Sequence, residues 1–333
     1  MESQGNKIGE NMDYLFLLQN LREGILSWLT PVFFFFSEVG LVTSFLVPFV
    51  IYWCIEKKAG AKILFCYSLA SFITNVVKVC ACVVRPWIKD SRLHIDLLAE
   101  KSATGYSFPS GHATAVSASF FGMALWQGKV REKKRCLLCV ILSVIPFLTA
   151  FSRNWLGAHT VQDVCIGLLI GALCVFAFGF IFDKAERNEK SWIAFNVFFI
   201  FAVICALIYS VFKSYPVFII SELNAGALSE LSCDPAKMKL DVLKSAGIIL
   251  GFLTAGIFER RFVKFLVPQD KREKIIVGVA GILTLVILQE FLVPLIFCKA
   301  LPEIRSFAKY FIPVVWGTVI YPAIFSMLLK KAN

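Results

Sequence analysis

Residues 152–182 read SRNWLGAHTVQDVCIGLLIGALCVFAFGFIF. The polar start of this stretch carries Arg153, His159 and Asp163, and no charged residue follows until position 183. An uncharged apolar run of about 20 residues is long enough to cross a hydrocarbon core of about 30 Å as a helix. The stretch therefore predicts a transmembrane helix whose polar start lies at a membrane interface.

Similar apolar runs recur along the whole chain. Of its 333 residues, 58% are hydrophobic and only 17% are charged, whereas soluble domains average about 25% charged residues. We predict an all-α polytopic membrane protein. About nine transmembrane helices are expected, near 35–55, 61–84, 109–127, 136–152, 160–182, 192–213, 242–258, 275–298 and 307–329.

The Lys and Arg residues predict how the helices are oriented. If the N-terminus is outside, nineteen of the 34 Lys and Arg residues lie in cytoplasmic segments, fourteen lie outside and Lys78 lies within a span. Cytoplasmic loops carry an excess of basic residues, so we expect the polar start at 152–163 on the non-cytoplasmic face, in the cell membrane. The net charge of +11 fits anionic lipid headgroups, and we expect no nucleic-acid partner because no basic domain is present.

A second polar run contains Lys78, Arg85 and Pro86. Seven residues in a helix bring Lys78 and Arg85 to nearly one face, about 10 Å apart along the axis, and Pro86 predicts the end of that helix. A Lys at the centre of a span costs about 2.5–3.5 kcal/mol, so it needs a partner. The pair indicates phosphate binding, with an anchor for anionic lipid headgroups as the alternative.

A third run, Pro109-Ser110-Gly111-His112, precedes a helix rich in small residues. Ser110 is a predicted N-cap, and the free N–H groups of the first turn, including those of Gly111 and His112, suit an anion. Gly111 allows close approach of the backbone, and His112 could donate a proton to a departing oxygen. The alternative is an ordinary helix start with an exposed histidine.

His159 and Asp163 stand four residues apart, which places their side chains in contact on the first turns of a helix. A carboxylate that accepts the Nδ1 proton would leave Nε2 free to attack phosphorus. Asp163 could instead be a simple partner of the helix dipole. Because Arg153 lies six residues before His159, we favour catalysis.

Sequence patterns for bound metals or nucleotides do not accompany these runs. The sequence has neither an HExxH motif nor a cluster of His with Cys at one interface, and it has no Gly-rich nucleotide loop. Zinc sites and nucleotide sites need such patterns. We expect neither a metal nor a cofactor, and the oligomeric state is open.

The three runs resemble the signature motifs of the type 2 phosphatidic acid phosphatase superfamily, over roughly residues 60–180. This resemblance implies metal-independent hydrolysis of a phosphate group through a phosphohistidine on His159, with Asp163 orienting it and His112 protonating the leaving group. It also implies phosphate binding by a larger set, namely Lys78, Arg85, Ser110, Gly111 and Arg153.

On this basis we divide the chain into a polar N-terminus with an amphipathic interfacial helix (1–32), a phosphatase core (33–182) and a further transmembrane module (183–333). The expected substrate is a membrane lipid that carries a phosphate or diphosphate, such as phosphatidic acid or undecaprenyl diphosphate. Nine spans are also similar to the layout of glucose-6-phosphatase, so a sugar-phosphate phosphatase is an alternative.

An alternative of another class is a non-catalytic lipid-phosphate binding protein or transporter. Gln289 and Glu290 lie well inside the eighth predicted span, where an ionisable group is a candidate functional residue. Pairing of Glu290 with a polar group on a neighbouring helix would explain it equally well.

Overall fold

The computed structural model describes residues 12–100, 102–103, 105–127, 133–216 and 235–332. Within these ranges the chain forms helices and no strand, which confirms the all-α prediction. The longer helices are α1 (Asp13–Glu23), α2 (Thr30–Cys54), α3 (Lys57–Ala81), α4 (Gly111–Gln127), α5 (Lys133–Trp155), α6 (Val161–Leu173), α7 (Glu189–Phe212), α8 (Pro235–Phe258), α9 (Lys271–Ile287), α10 (Pro302–Val315) and α11 (Tyr321–Ala332).

Several of these helices continue through a short π-helical turn. Such turns are Cys174–Phe178 after α6, which leads into Gly179–Ala185, and Glu259–Val263 after α8. Trp316–Ile320 joins α10 to α11 in the same way. Apolar helices thereby extend beyond 20 residues despite the interruptions, so they are long enough to span a bilayer.

Eight helical segments in the described part of the chain are long and apolar enough to cross a membrane. The prediction of a multi-pass membrane protein is confirmed, but the number nine is not. The predicted span at 109–127 corresponds to α4, which has 17 residues. At 1.5 Å per residue α4 is about 26 Å long, shorter than the hydrocarbon core.

The chain forms two compact units, each built from separate segments. The first comprises Met1–Val42, Val76–Ala172 and Ser214–Met238, and the second comprises Thr43–Asn75, Leu173–Lys213 and Lys239–Asn333. The three polar runs lie in the first unit. The sequence-based division at 32/33 and 182/183 stays a prediction.

Within the first unit, α1 supports the segment between α5 and α6. The buried Arg22 side chain donates hydrogen bonds from Nη1 to the Trp155 carbonyl oxygen (3.0 Å) and from Nη2 to that of His94 (2.8 Å). Gly157 has a φ of +72°, and a Cβ there would lie 2.7 Å from the His94 carbonyl oxygen. The turn before His159 therefore depends on glycine.

The start of α4 packs closely against α6. A Cβ at Gly167 would lie 2.8 Å from the carbonyl oxygen of Ser110 and 3.1 Å from Cβ of Ala113. Real side chains do not tolerate the first of these distances without a backbone shift. Glycine at 167 thus lets the third polar run approach the helix that carries Asp163.

In the second unit, ion pairs join the ends of the helices. Lys57 pairs with Glu259 and Lys62 with Asp183, both at 2.6 Å. Glu290, the candidate residue for transport, pairs with Lys309 at 2.9 Å. Its presence in a predicted span is therefore accounted for by an ionic partner on α10.

Candidate active site

The second polar run does not form one continuous helix. α3 ends at Ala81, Cys82 adopts a left-handed φ of 49°, and Arg85 is the N-cap of a short helix, Pro86–Lys89. The prediction that Lys78 and Arg85 share a helical face is wrong, because the helix ends at the left-handed residue, before it reaches Arg85.

The two cations nevertheless meet at one loop. Lys78 Nζ donates to the carbonyl oxygens of Tyr106 (2.7 Å) and Ser107 (3.3 Å), and Arg85 Nε donates to that of Gly105 (2.8 Å). Both side chains are buried. The loop before α4 thus fixes the positions of both cations through its backbone oxygens.

Arg85 also determines the tautomer of His159. Its Nη1 lies 2.9 Å from Nε2 of His159 and donates to the Ala158 carbonyl oxygen at 2.8 Å. A guanidinium group can only donate hydrogen bonds, so Nε2 must accept and the neutral ring carries its proton on Nδ1. That nitrogen faces Oδ2 of Asp163 at 3.4 Å.

His159 lies two residues before α6 begins at Val161, not on the first turns of a helix as predicted. Asp163 still reaches it, because the carboxylate is held from several sides. Its Oδ2 accepts hydrogen bonds from Ser107 Oγ and from the Thr160 N–H (2.9 Å). The Asp163 carbonyl oxygen accepts from the Ser110 N–H at 2.9 Å. The same residue thereby ties the third polar run to the start of α6.

The environment of His159 favours its neutral form. Burial lowers the pKa of His159 well below its usual value, and the positive charge of Arg85 lowers it further, whereas Asp163 acts in the opposite direction. A neutral imidazole whose Nε2 lone pair is free of a proton is the form that can act as a nucleophile.

Ser110 is the N-cap of α4, as predicted. Its Oγ accepts a hydrogen bond from the Ala113 N–H at 3.5 Å, and its carbonyl oxygen accepts from the Thr114 N–H at 3.1 Å. A Cβ built on Gly111 meets nothing within 4 Å. Open space therefore adjoins the first turn of α4, where backbone N–H groups have no intrahelical acceptor.

His112 and Arg153 meet at Glu38, a residue that the motif analysis missed. One carboxylate oxygen of Glu38, Oε1, lies 3.5 Å from His112 Nε2 and 4.0 Å from Arg153 Nη1. Arg153 Nη1 donates to Ser37 Oγ at 2.9 Å. The sequence did contain a signal, because Glu38 is the single charged residue between positions 31 and 55. A charged residue inside a span is costly and needs a partner, as argued above for Lys78.

Several buried polar atoms of this cluster have no hydrogen-bond partner in the described part of the chain. They are Nε and Nη2 of Arg153, Nε2 of His112 and Oε1 of Glu38. Leaving such groups unpaired costs about 1–3 kcal/mol each, and more when they are charged. The Arg153 nitrogens are donors and can bind the oxygens of an anion, whereas the Glu38 oxygen can only accept.

The fold and the site together define a multi-pass membrane protein with a buried cationic site built around two histidines. Residues 59–187 match the PAP2 superfamily, and residues 243–332 match the transmembrane extension of PAP2 superfamily phosphatases. The chain belongs to the PAP2 superfamily and is a phosphatase. All eight site residues predicted from the motifs lie in the first matched region, whereas Glu38 lies outside it.

Similar proteins come from bacteria, archaea and animals. Phosphatidylglycerophosphatase B of Bacillus subtilis is 27% identical over 49% of this chain and 80% of its own length. Sphingosine-1-phosphate phosphatase 2 of Homo sapiens is 29% identical over 42% of this chain and 33% of its own. Undecaprenyl-diphosphatase of Sulfolobus acidocaldarius is 29% identical over 36% of this chain and 53% of its own length. No solved structure matches the chain significantly.

The tautomer and charge of His159 can be tested without any substrate. In protein labelled with ¹⁵N-histidine, we expect His159 to carry its proton on Nδ1 and to stay neutral below about pH 6.5, the usual histidine pKa. Replacing Asp163 by Asn should lower the pKa of His159 further, because the carboxylate that favours the charged ring is gone.

Only three histidines are present, so the spectra of His94→Gln and His112→Gln assign the signals by difference. A His159 ring that titrates near pH 6.5, or that carries its proton on Nε2, would contradict the geometry described above.

Proposed function

We propose that this phosphatase hydrolyses a phosphate or diphosphate group on a membrane lipid, without a metal ion, through a phosphohistidine on His159. The observation that carries the proposal is the position of His159 between Arg85 at Nε2 and Asp163 at Nδ1. An imidazole held in this way presents its lone pair beside a cation that can bind the oxygens of the phosphate it attacks.

In the first step, Nε2 of His159 forms a bond to phosphorus while the bond from phosphorus to the leaving oxygen breaks. His112 gives a proton to that oxygen, and Asp163 stabilises the positive charge that develops on the His159 ring. Lys78, Arg85 and Arg153 bind the phosphate oxygens, together with Ser110, Gly111 and the first-turn N–H groups of α4.

In the second step, water attacks the phosphorus of the phosphohistidine. His112, now neutral, accepts a proton from the water, and the bond between phosphorus and Nε2 breaks. Inorganic phosphate leaves, and both histidines return to their starting states. Each proton given in the first step is thus recovered in the second.

Glu38 fits this cycle as a positioning residue for His112. Its Oε1 lies 3.5 Å from Nε2 of His112 and is buried without a hydrogen-bond partner in the described part of the chain. Burial and the charge of Arg153 lower the pKa of His112 to about 4, whereas the Glu38 carboxylate acts in the opposite direction. Glu38 thus favours the charged imidazolium, which is the form that can donate a proton. The same oxygen lies 4.0 Å from Arg153 Nη1, so Glu38 also limits the positive charge of the site.

Two observations support a lipid substrate. The three similar proteins described above are named for lipid substrates, namely phosphatidylglycerophosphate, sphingosine 1-phosphate and undecaprenyl diphosphate. Lys78, Arg153 and Asp163 belong to helical segments that are long and apolar enough to span a membrane, so the phosphate site adjoins the lipid phase. We place the site on the non-cytoplasmic face, on the basis of the Lys and Arg distribution.

The substrate class is tested by measuring phosphate release from purified protein with EDTA present. Phosphatidic acid, undecaprenyl diphosphate and glucose 6-phosphate are assayed in parallel. We expect hydrolysis of at least one of the two lipids, with a kcat/KM for the sugar phosphate lower by about 100-fold or more, a difference of about 2.7 kcal/mol in transition-state binding.

His159→Ala should abolish release, because the nucleophile is lost, whereas His94→Ala is the matched control at an exposed histidine and should retain activity. Hydrolysis of glucose 6-phosphate alone would replace the lipid assignment with a sugar-phosphate phosphatase. Tight binding of phosphate with no turnover of any substrate would favour a binding protein or transporter.

The role of Glu38 is tested by Glu38→Gln. Protonation of a leaving group contributes a factor of about 10²–10⁴ to the rate. We expect kcat of the variant to be lower by about 10-fold or more, with a smaller change in KM. The alkaline limb of the kcat profile should move to lower pH, because the carboxylate that favours the imidazolium is absent.

Glu290→Gln removes the other carboxylate considered above, which pairs with Lys309, and should leave the kcat profile unchanged. If Glu38→Gln changes KM alone, or leaves the alkaline limb in place, Glu38 does not act through His112.

A further inference from the structure

The second unit contains a groove with a volume of ≈ 480 Å³. Residues of α7 line one side, and the C-terminal end of α8 and the residues that follow it line the other. Three basic residues line it, Arg260, Arg261 and Lys264, against one acidic residue, Glu189, among the described lining residues. The groove therefore has an excess of two positive charges, and none of these residues belongs to the candidate active site.

Part of the groove wall is apolar and exposed. Ile193, Val197 and Ile257 line it with 54%, 62% and 39% of their surface exposed. These residues lie in membrane-spanning helices, so their exposed surface faces acyl chains. The basic residues lie beyond the end of α8, close to the start of α7. The groove therefore has its positive charge at one end and its apolar wall along the helices, an arrangement that matches the polar head and apolar tail of a lipid.

Two buried polar atoms of lining residues have no hydrogen-bond partner in the part of the chain that the structure describes. They are Nε1 of Trp192, which is 6% exposed, and Oδ1 of Asn196, which is 1% exposed. The Asn196 amide nitrogen is already used, since it donates to the Trp192 carbonyl oxygen at 2.8 Å. The groove thus offers one unused donor and one unused acceptor besides its cations.

Two contacts position the Arg260 guanidinium at this site. It lies 5.5 Å from the centre of the Trp192 ring and donates to the Glu186 carbonyl oxygen at 3.1 Å. A neighbouring cavity of ≈ 450 Å³ shares Trp192, Arg260 and Lys264 with the groove. Fixed cations bind an anion with little loss of side-chain freedom.

We propose that this groove binds the headgroup of an anionic phospholipid whose phosphodiester carries a hydroxyl-bearing alcohol. The phosphate oxygens would pair with Arg260, Arg261 and Lys264 and accept from the Trp192 indole. A headgroup hydroxyl would donate to Asn196. The acyl chain lies along Ile193 and Val197. Basic pockets between transmembrane helices bind such headgroups on the cytoplasmic side, where the Lys and Arg distribution places these segments.

The test is native mass spectrometry of the detergent-purified chain, titrated separately with phosphatidylglycerol, phosphatidylcholine and free glycerol 3-phosphate. We expect a saturable phosphatidylglycerol adduct, with much weaker binding of the other two probes. Arg261→Gln with Lys264→Gln should weaken phosphatidylglycerol binding about 25-fold, because each basic residue near an anionic headgroup contributes about fivefold.

Lys271→Gln with Arg272→Gln is the matched control, since it removes two charges from the same predicted cytoplasmic segment at residues that do not line the groove. It should bind within about twofold of the wild type. Trp192→Phe keeps a six-membered aromatic ring and removes the N–H donor together with the five-membered ring of the indole, and should weaken binding about tenfold. This conservative change keeps the proposal testable if the double variant fails to fold.

Equal loss of binding in both double variants would overturn the site, as would phosphatidylcholine binding as tightly as phosphatidylglycerol. Glycerol 3-phosphate binding as tightly as the lipid would show an anion site without a role for the apolar wall, and would overturn the lipid assignment. These outcomes are independent of catalysis, because no variant touches the residues of the proposed reaction.

Discussion

The contact between the Arg85 guanidinium and Nε2 of His159, at 2.9 Å, is the interaction on which the candidate active site depends. A group that can only donate assigns the lone pair to Nε2 and the proton to the nitrogen that faces Asp163. Arg85 can reach this position because the loop before α4 and the turn at Ala158 accept hydrogen bonds from its other N–H groups. Backbone oxygens thus position the cation, and the cation sets the tautomer of His159, the proposed nucleophile.

A second cluster supplies the other half of the proposed chemistry. His112, Arg153 and Glu38 come from three different helices, α4, α5 and α2, and their unpartnered atoms are buried. Such atoms are costly in a folded protein unless a ligand pairs with them. The hydrogen-bonding capacity that folding leaves unused at the Arg153 nitrogens is available for the oxygens of the proposed phosphate ligand.

The sequence predicted the membrane class and the cap at Ser110, because apolar length and capping are local properties. It misplaced Arg85, since nothing in the residues near Cys82 signals a left-handed conformation. Glu38 was missed by the motif analysis because this residue lies on a helix outside the motifs. Its isolated charge in an apolar run marked it as a candidate, but its contact with His112 forms only on folding. The loop oxygens that bind Lys78 and Arg85 were also beyond reach, because backbone acceptors carry no residue-specific pattern.

The proposed reaction requires covalent phosphorylation of His159. This step is tested by rapid quenching of the enzyme with ³²P-labelled substrate at neutral and alkaline pH, followed by peptide mapping. We expect label on the peptide containing His159 that survives base and is lost in acid, and no label in His159→Ala. Label on a serine or an aspartate, or turnover by the enzyme that lacks His159, would contradict the proposed reaction.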